Sequence, residues 1–182
     1  MLKFDHQTKM NINTRLPISF FLRDVLDVAP DLLGKVLVRR FHSGETERYV
    51  ITETEAYRGG EDKACHANKG KTPRTEVMFC EGGVVYVYLV YGMHWMLNFV
   101  TGPLDDSSAV LIRGLEGISG PGRVGKALGL DNSFYGENLM TSQRLWIENS
   151  VSQIKYATSA RIGIDYAGEP WVSKPWRFMI DA

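Results

Sequence analysis

Two glutamates lie two residues apart in the segment RYVITETEAY, residues 48–57. Side chains of an extended strand alternate between faces, so Tyr49, Ile51, Glu53, Glu55 and Tyr57 are expected on one side. The two carboxylates then sit roughly 7 Å apart. A face that carries Ile51 and Tyr57 is one a core would cover. A carboxylate there is unfavourable unless it is paired or put to use. One reading is a general base with a tuned pKa; the other is an edge strand whose glutamates are solvated. Arg113 bears on the choice. It stands inside the apolar run 109–115, where a buried guanidinium needs a carboxylate, and Glu55 or Glu53 is the natural partner. Such a pair would hold a carboxylate ionised and fixed, as activation of a water requires.

Tyr86 and Tyr88 share a strand face, and Tyr91 falls beside the following turn, where it can be exposed. Aromatic side chains that flank a pocket can stack a flat heterocycle, at about 1–3 kcal/mol per base. The same tyrosines also suit ordinary sheet packing. His66, in a polar Gly-containing loop, can bind a ligand, titrate near neutrality or be a surface residue without a role. Cys65, His66, Cys80 and His94 lack the paired spacing of a zinc site. Gly120-Pro121-Gly122-Arg123 opens a helix in a way that suits a phosphate, but it has no nucleotide-binding loop pattern.

The elements that must position these residues can be read in outline. Asp27 is a candidate cap for a helix over 28–33, with Pro30 in its first turn and Gly34 beyond its end. Strands are expected over 35–41 and 48–57, joined by a turn at Ser43-Gly44-Glu45. A helix capped by Thr72 with Pro73 at its first position should run to about Phe79. A hairpin over 84–100, a strand over 109–116 and a short helix over 123–128 follow. Strand candidates close the chain at 145–148, 160–165 and 177–180. Many hairpin-connected strands with few helices predict an α+β fold: a single domain (19–182) on a curved antiparallel β-sheet, preceded by a loosely held arm (1–18).

Composition narrows the function classes. The chain has 182 residues, 44% hydrophobic and 23% charged, which excludes a disordered or low-complexity protein. Lys+Arg and Asp+Glu both number 21, so overall charge does not favour nucleic acid, and such binding must rest on a local patch. Arg58, Lys69, Lys71, Arg74, Arg123 and Lys126 are candidates for one. Segment 82–104 lacks Asp, Glu, Lys and Arg and has the length of a membrane helix, but its Gly, Tyr and β-branched content reads as paired strands. Residues 1–10 carry no continuous apolar stretch of the secretory kind. Two cysteines fit a reducing setting.

Taken in order, Glu53-Thr54-Glu55-Ala56-Tyr57, His66, Thr72-Pro73-Arg74, the run YVYLVYGM (86–93), Asn98, Leu111-Ile112-Arg113 and Gly120-Pro121-Gly122 resemble the alkyladenine (3-methylpurine) DNA glycosylase family. The resemblance runs over about residues 20–180. It implies a monofunctional hydrolase of base-excision repair that flips alkylated or deaminated purines (3-methyladenine, hypoxanthine, ethenoadenine) from duplex DNA and cleaves the N-glycosidic bond. By this resemblance Glu55 is the general base and Arg113 helps hold it. Tyr57, His66 and Tyr88 wall the base pocket, and Asn98 crowds the purine 2-amino group. Tyr91, with Met93 beside it, wedges into the gap left by the flipped nucleotide. No cofactor or metal is implied. The implied partner is duplex DNA with a damaged purine, bound by a monomer without membrane contact, in the cytoplasm of a bacterium or the nucleus of a eukaryote. A catalytically idle nucleic-acid-binding module and a nucleoside hydrolase are the competing readings.

Overall fold

The computed structural model describes residues 14–150 and 154–181. Most of the expected arm, residues 1–13, lies outside them. Its described end is held: Leu16 is buried and donates its N–H to the Ile147 carbonyl, and the Arg15 guanidinium donates to the carbonyls of Leu139 and Met140.

Helix α1 (Ile18–Phe21) is one turn long, and α2 (Val25–Asp31) follows. The cap of α2 is Asp24, which accepts the Leu26 N–H at 2.8 Å, so the helix starts three residues before the expected position. Asp27 falls in its first turn, where it complements the helix dipole, and Pro30 falls near its end rather than its start. Strands β1 (Val36–Arg40) and β2 (Thr46–Tyr57) form the expected hairpin. The helix expected over 72–79 is only a 3-10 turn, Glu76–Phe79, because Thr72 and Thr75 bond each other's backbone and side chains in a separate preceding turn.

The membrane-length segment folds as the hairpin of β3 (Val85–Val90) and β4 (His94–Thr101). Among the described residues no helix is long and apolar enough to cross a membrane. Next come β5 (Ser108–Leu115), β6 (Ile118–Ser119) and α3 (Pro121–Ala127), which begins at Pro121 rather than Arg123 because proline needs no N–H donor at a first helical position. Strands β7 (Leu145–Glu148), β8 (Tyr156–Ser159) and β9 (Arg177–Ile180) complete the chain. The strand expected over 160–165 is a loop. Of its alternating apolar residues only Ile164 is buried, together with Arg161, while Ile162 is exposed, and the outer partner of β9 is β8 instead.

The described strands form one curled antiparallel sheet with the order β3-β4-β5-β2-β1-β7, and β9 joins along β2 with β8 along its other edge. The long strand β2 organises it. Its first half pairs with β1, and its second half lies between β5 and β9. A main core of Leu37, Ile51, Ala56, Ile112 and Leu115 packs under α2, and Thr54 ties β2 to that helix by donating to the Ala29 carbonyl at 2.8 Å.

One expectation about β2 fails in an instructive way. Ile51 and Glu55 do not share a face. The register against β5 shifts between Ile51 and Glu53 and again between Glu53 and Thr54, and such a bulge inverts the alternation. Ile51, Thr54 and Ala56 face the core, while Glu55 and Tyr57 turn to the opposite side.

Candidate active site

A cavity of about 450 Å³ opens on that opposite side. This size is within the range of small-molecule sites. Four elements build its walls: Tyr57 from β2, His66 from the 3-10 turn after Cys65, Tyr86 and Tyr88 from β3, and Asn98 from β4. Arg113 of β5 lines its depth, and Ile162 and Tyr166 form part of its rim.

Glu55 lies immediately behind this wall. Its side chain has no exposed surface and does not itself line the cavity, but its bonding partners do. The Ile162 N–H donates to Oε1 at 2.8 Å and the Tyr57 hydroxyl donates to Oε2 at 2.8 Å. The Arg113 Nε lies 3.4 Å from Oε1. Burial pushes the Glu55 pKa up, and Arg113, the Ile162 N–H and Tyr57 oppose that push. The carboxyl therefore gives up its proton less readily than a solvated glutamate, while these three partners favour its anion. The solvated-edge reading is excluded, because β2 is flanked on both sides at this point.

The aromatic wall is a connected stack. The His66 ring lies edge-on to Tyr88, centroids 4.6 Å apart, and Tyr86 and Tyr88 are 5.4 Å apart. His66 Nδ1 is 2.9 Å from the Tyr86 hydroxyl. Burial, with Arg74 nearby, lowers the His66 pKa to about 4, so the imidazole is neutral at physiological pH. Arg74 itself lies over the Tyr88 ring at 5.2 Å. Asn98 is buried and donates Nδ2 to the Tyr86 carbonyl, which fixes its amide at the cavity floor.

Tyr91 and Met93 stand at the tip of the β3–β4 hairpin, beside the mouth. Tyr91 is 89% exposed and Met93 69%; Tyr91 lines the cavity and Met93 lies outside it. The Met93 N–H returns to the Val90 carbonyl, and both residues between have positive φ, Tyr91 at 51° and Gly92 at 68°. Glycine is at ease there; a tyrosine is strained by about 1–3 kcal/mol. An exposed aromatic ring held in a strained turn is a feature that packing alone does not explain.

Of the basic candidates, Arg74 reaches the cavity. Arg58 is paired with Asp24 and Glu61, and Lys71 lies over Phe79. Among the described residues no cluster of three His, Cys, Asp or Glu is placed to hold a metal. Cys65 is buried and its thiol is pushed up to about 12, so it is no nucleophile.

Three participants escaped the sequence reading. Arg161 and Asp62 form a fully buried bidentate pair at 2.5 and 3.0 Å. Arg161 also lies over the Tyr57 ring and donates to the Ala56 carbonyl. This clamp holds the loop that brings the Ile162 N–H to Glu55. The signal was present: an arginine between Ala160 and Ile162 asks for a buried partner by the argument used for Arg113.

Comparison with known proteins gives the chain a family. A family model described as methylpurine-DNA glycosylase matches residues 19–120 and 116–182. A Myxococcus xanthus protein is 44% identical over 175 residues, covering 91% of this chain and 89% of its own. A Methanocella arvoryzae protein is 42% identical over 183 residues, covering 90% of each chain. One from Psychrobacter cryohalolentis is 40% identical over 187 residues, covering 87% of each. All three carry 3-methyladenine DNA glycosylase in their names.

Proposed function

The chain belongs to the methylpurine-DNA glycosylase family, and from that premise we propose that it excises 3-methyladenine and related damaged purines from duplex DNA with a water activated by Glu55. The observation that carries this reading is the placement of Glu55: a buried carboxylate bonded by Tyr57 and the Ile162 N–H, beside Arg113, directly behind an aromatic cavity.

Loss of a purine leaves an oxocarbenium-like sugar, as in glycoside hydrolysis. An anion close to the anomeric carbon stabilises that charge, and a base there takes the proton of the attacking water. Glu55 supplies both. A base stacked in the duplex is out of reach of such a group, so the nucleotide is flipped into the cavity. The faces of Tyr57 and Tyr88 then sandwich it. They favour the positive charge of a methylated purine, and the neutral His66 does not repel it. Hypoxanthine and ethenoadenine lack that charge and depend more on help to the leaving group. Asn98, fixed at the floor, leaves little room for the 2-amino group of normal guanine.

The test is release of free 3-methyladenine from methylated duplex DNA above the spontaneous background, and of hypoxanthine from a duplex holding one such base. Release from duplex supports the reading. Tight binding without release points to an idle binding module, and release from free nucleosides alone to a nucleoside hydrolase.

Tyr91 is the wedge in this scheme, filling the space vacated in the stack. Tyr91→Gly is expected to raise stability by about 0.5–1 kcal/mol, because relief of the positive φ outweighs the extra freedom of the unfolded glycine. It should also lower excision from duplex by about tenfold or more while sparing single-stranded substrate. Thermal unfolding and paired excision assays check both. An equal loss on the two substrates would remove Tyr91 from the wedge role.

A further inference from the structure

The Nε of Arg113 faces two carboxylates. It is 2.9 Å from Glu53 Oε1, with good hydrogen-bond geometry, and 3.4 Å from Glu55 Oε1. The same Glu53 oxygen accepts the Nε of Arg177 at 2.6 Å. Four charges of alternating sign therefore form a chain, Arg177–Glu53–Arg113–Glu55, whose members are all largely shielded from solvent. Of its four members only Arg113 lines the cavity, with Glu55 directly behind the wall.

The fold builds this chain deliberately. Arg177 of β9 and Leu111 of β5 are the register partners of Glu55 on its two sides. Glu53 itself lies opposite Gly114, where an added Cβ would come within 2.9 Å of the Glu53 Cβ. A side chain at 114 would push Glu53 off Arg113.

We propose that Glu53 and Arg177 are positioning residues that set how closely Arg113 presses on Glu55, and through it how basic the Glu55 carboxylate is. The inference rests on the reading of Glu55 as the general base. Glu53 holds the guanidinium back from full pairing with Glu55, and Arg177 moderates the pull of Glu53. The other groups around Glu55 are the Tyr57 hydroxyl on β2, Tyr88 on β3, and Arg161 with the Ile162 N–H on the loop 160–165. Those around Glu53 are Arg113 and Arg177, the latter also within 3.4 Å of the Ser159 hydroxyl.

The two substitutions then act in opposite directions. In Glu53→Gln, Arg113 is released toward Glu55 and a nearby negative charge is lost, so the anion of Glu55 is favoured and its pKa falls. In Arg177→Met, Glu53 draws Arg113 more strongly, Glu55 loses its counter-charge, and its pKa rises. A base works only when deprotonated, so activity is lost as pH falls through its pKa. The measurement is the pH profile of single-turnover base release from methylated duplex DNA. The acidic limb should move down by about half to one pH unit in Glu53→Gln and up by about as much in Arg177→Met. Arg177→Lys, which keeps the charge, should return the limb to its wild-type place. A purely structural role would lower rates or stability and leave the limb where it was. An unmoved limb, or shifts of the same sign, overturns the proposal. If Glu53→Gln does not fold, the Arg177→Met and Arg177→Lys pair decides alone. Full activity in Glu55→Gln would instead sink the reading of the base on which this rests.

Discussion

Glu55→Gln is expected to lower base release from methylated duplex DNA by about a hundred- to ten-thousand-fold, the range over which positioned general bases contribute. The protein should keep its fold and its affinity for DNA. The substitution is isosteric, and its amide can be satisfied where it stands. The amide oxygen can face the Ile162 N–H, and the Tyr57 hydroxyl, which rotates, can accept from the amide nitrogen. What is lost is the capacity to take a proton and to carry negative charge beside the sugar. The measurement is single-turnover base release alongside DNA binding and a denaturation curve. A rate within about threefold of wild type, with the fold intact, would reject Glu55 as the base.

Arg161→Met should give the largest change in stability, a loss of about 3–5 kcal/mol, read as a lower urea midpoint at unchanged slope. Both members of the Arg161–Asp62 pair are fully buried. Removing the guanidinium leaves the Asp62 carboxylate with only the N–H groups of Arg58 and Ala64, and an uncompensated buried charge is costly. Base release should fall as well, because the clamp that holds the Ile162 N–H against Glu55 is gone. The double variant Asp62→Asn with Arg161→Met leaves no buried charge and should recover part of the stability without restoring the rate. A single variant as stable as wild type would show that the pair contributes nothing to the fold.

The main features of this site could be read from residue types alone in one respect and not in another. That Arg113, inside an apolar run, needs a carboxylate on the strand 48–57 follows from the energetics of burying charge. The structure places it against both available glutamates. Which face those glutamates occupy did not follow. Simple alternation puts Ile51 beside Glu55; the bulge against β5 separates them, and a bulge is a property of the paired strands, not of either sequence. The start of α2 failed for a local reason: Asp24 and Asp27 are both competent caps, and only the side chain bonded to the Leu26 N–H decides. The loop 160–165 failed because its alternating apolar types imitate a strand, whereas its burial does not alternate: Arg161 and Ile164 are buried and Ile162 is exposed.

By itself, then, the sequence determined the α+β character of the chain, its succession of hairpins and the stock of chemically able side chains, because these depend on composition and on periodicities a few residues long. Tertiary structure decided what those side chains do to one another. It set Glu55 behind an aromatic cavity, divided Arg113 between two carboxylates and joined Asp62 to Arg161 across 99 positions of chain. Burial, pairing and the resulting protonation of each group are set by neighbours that only folding brings near, and local sequence carries no measure of their distance.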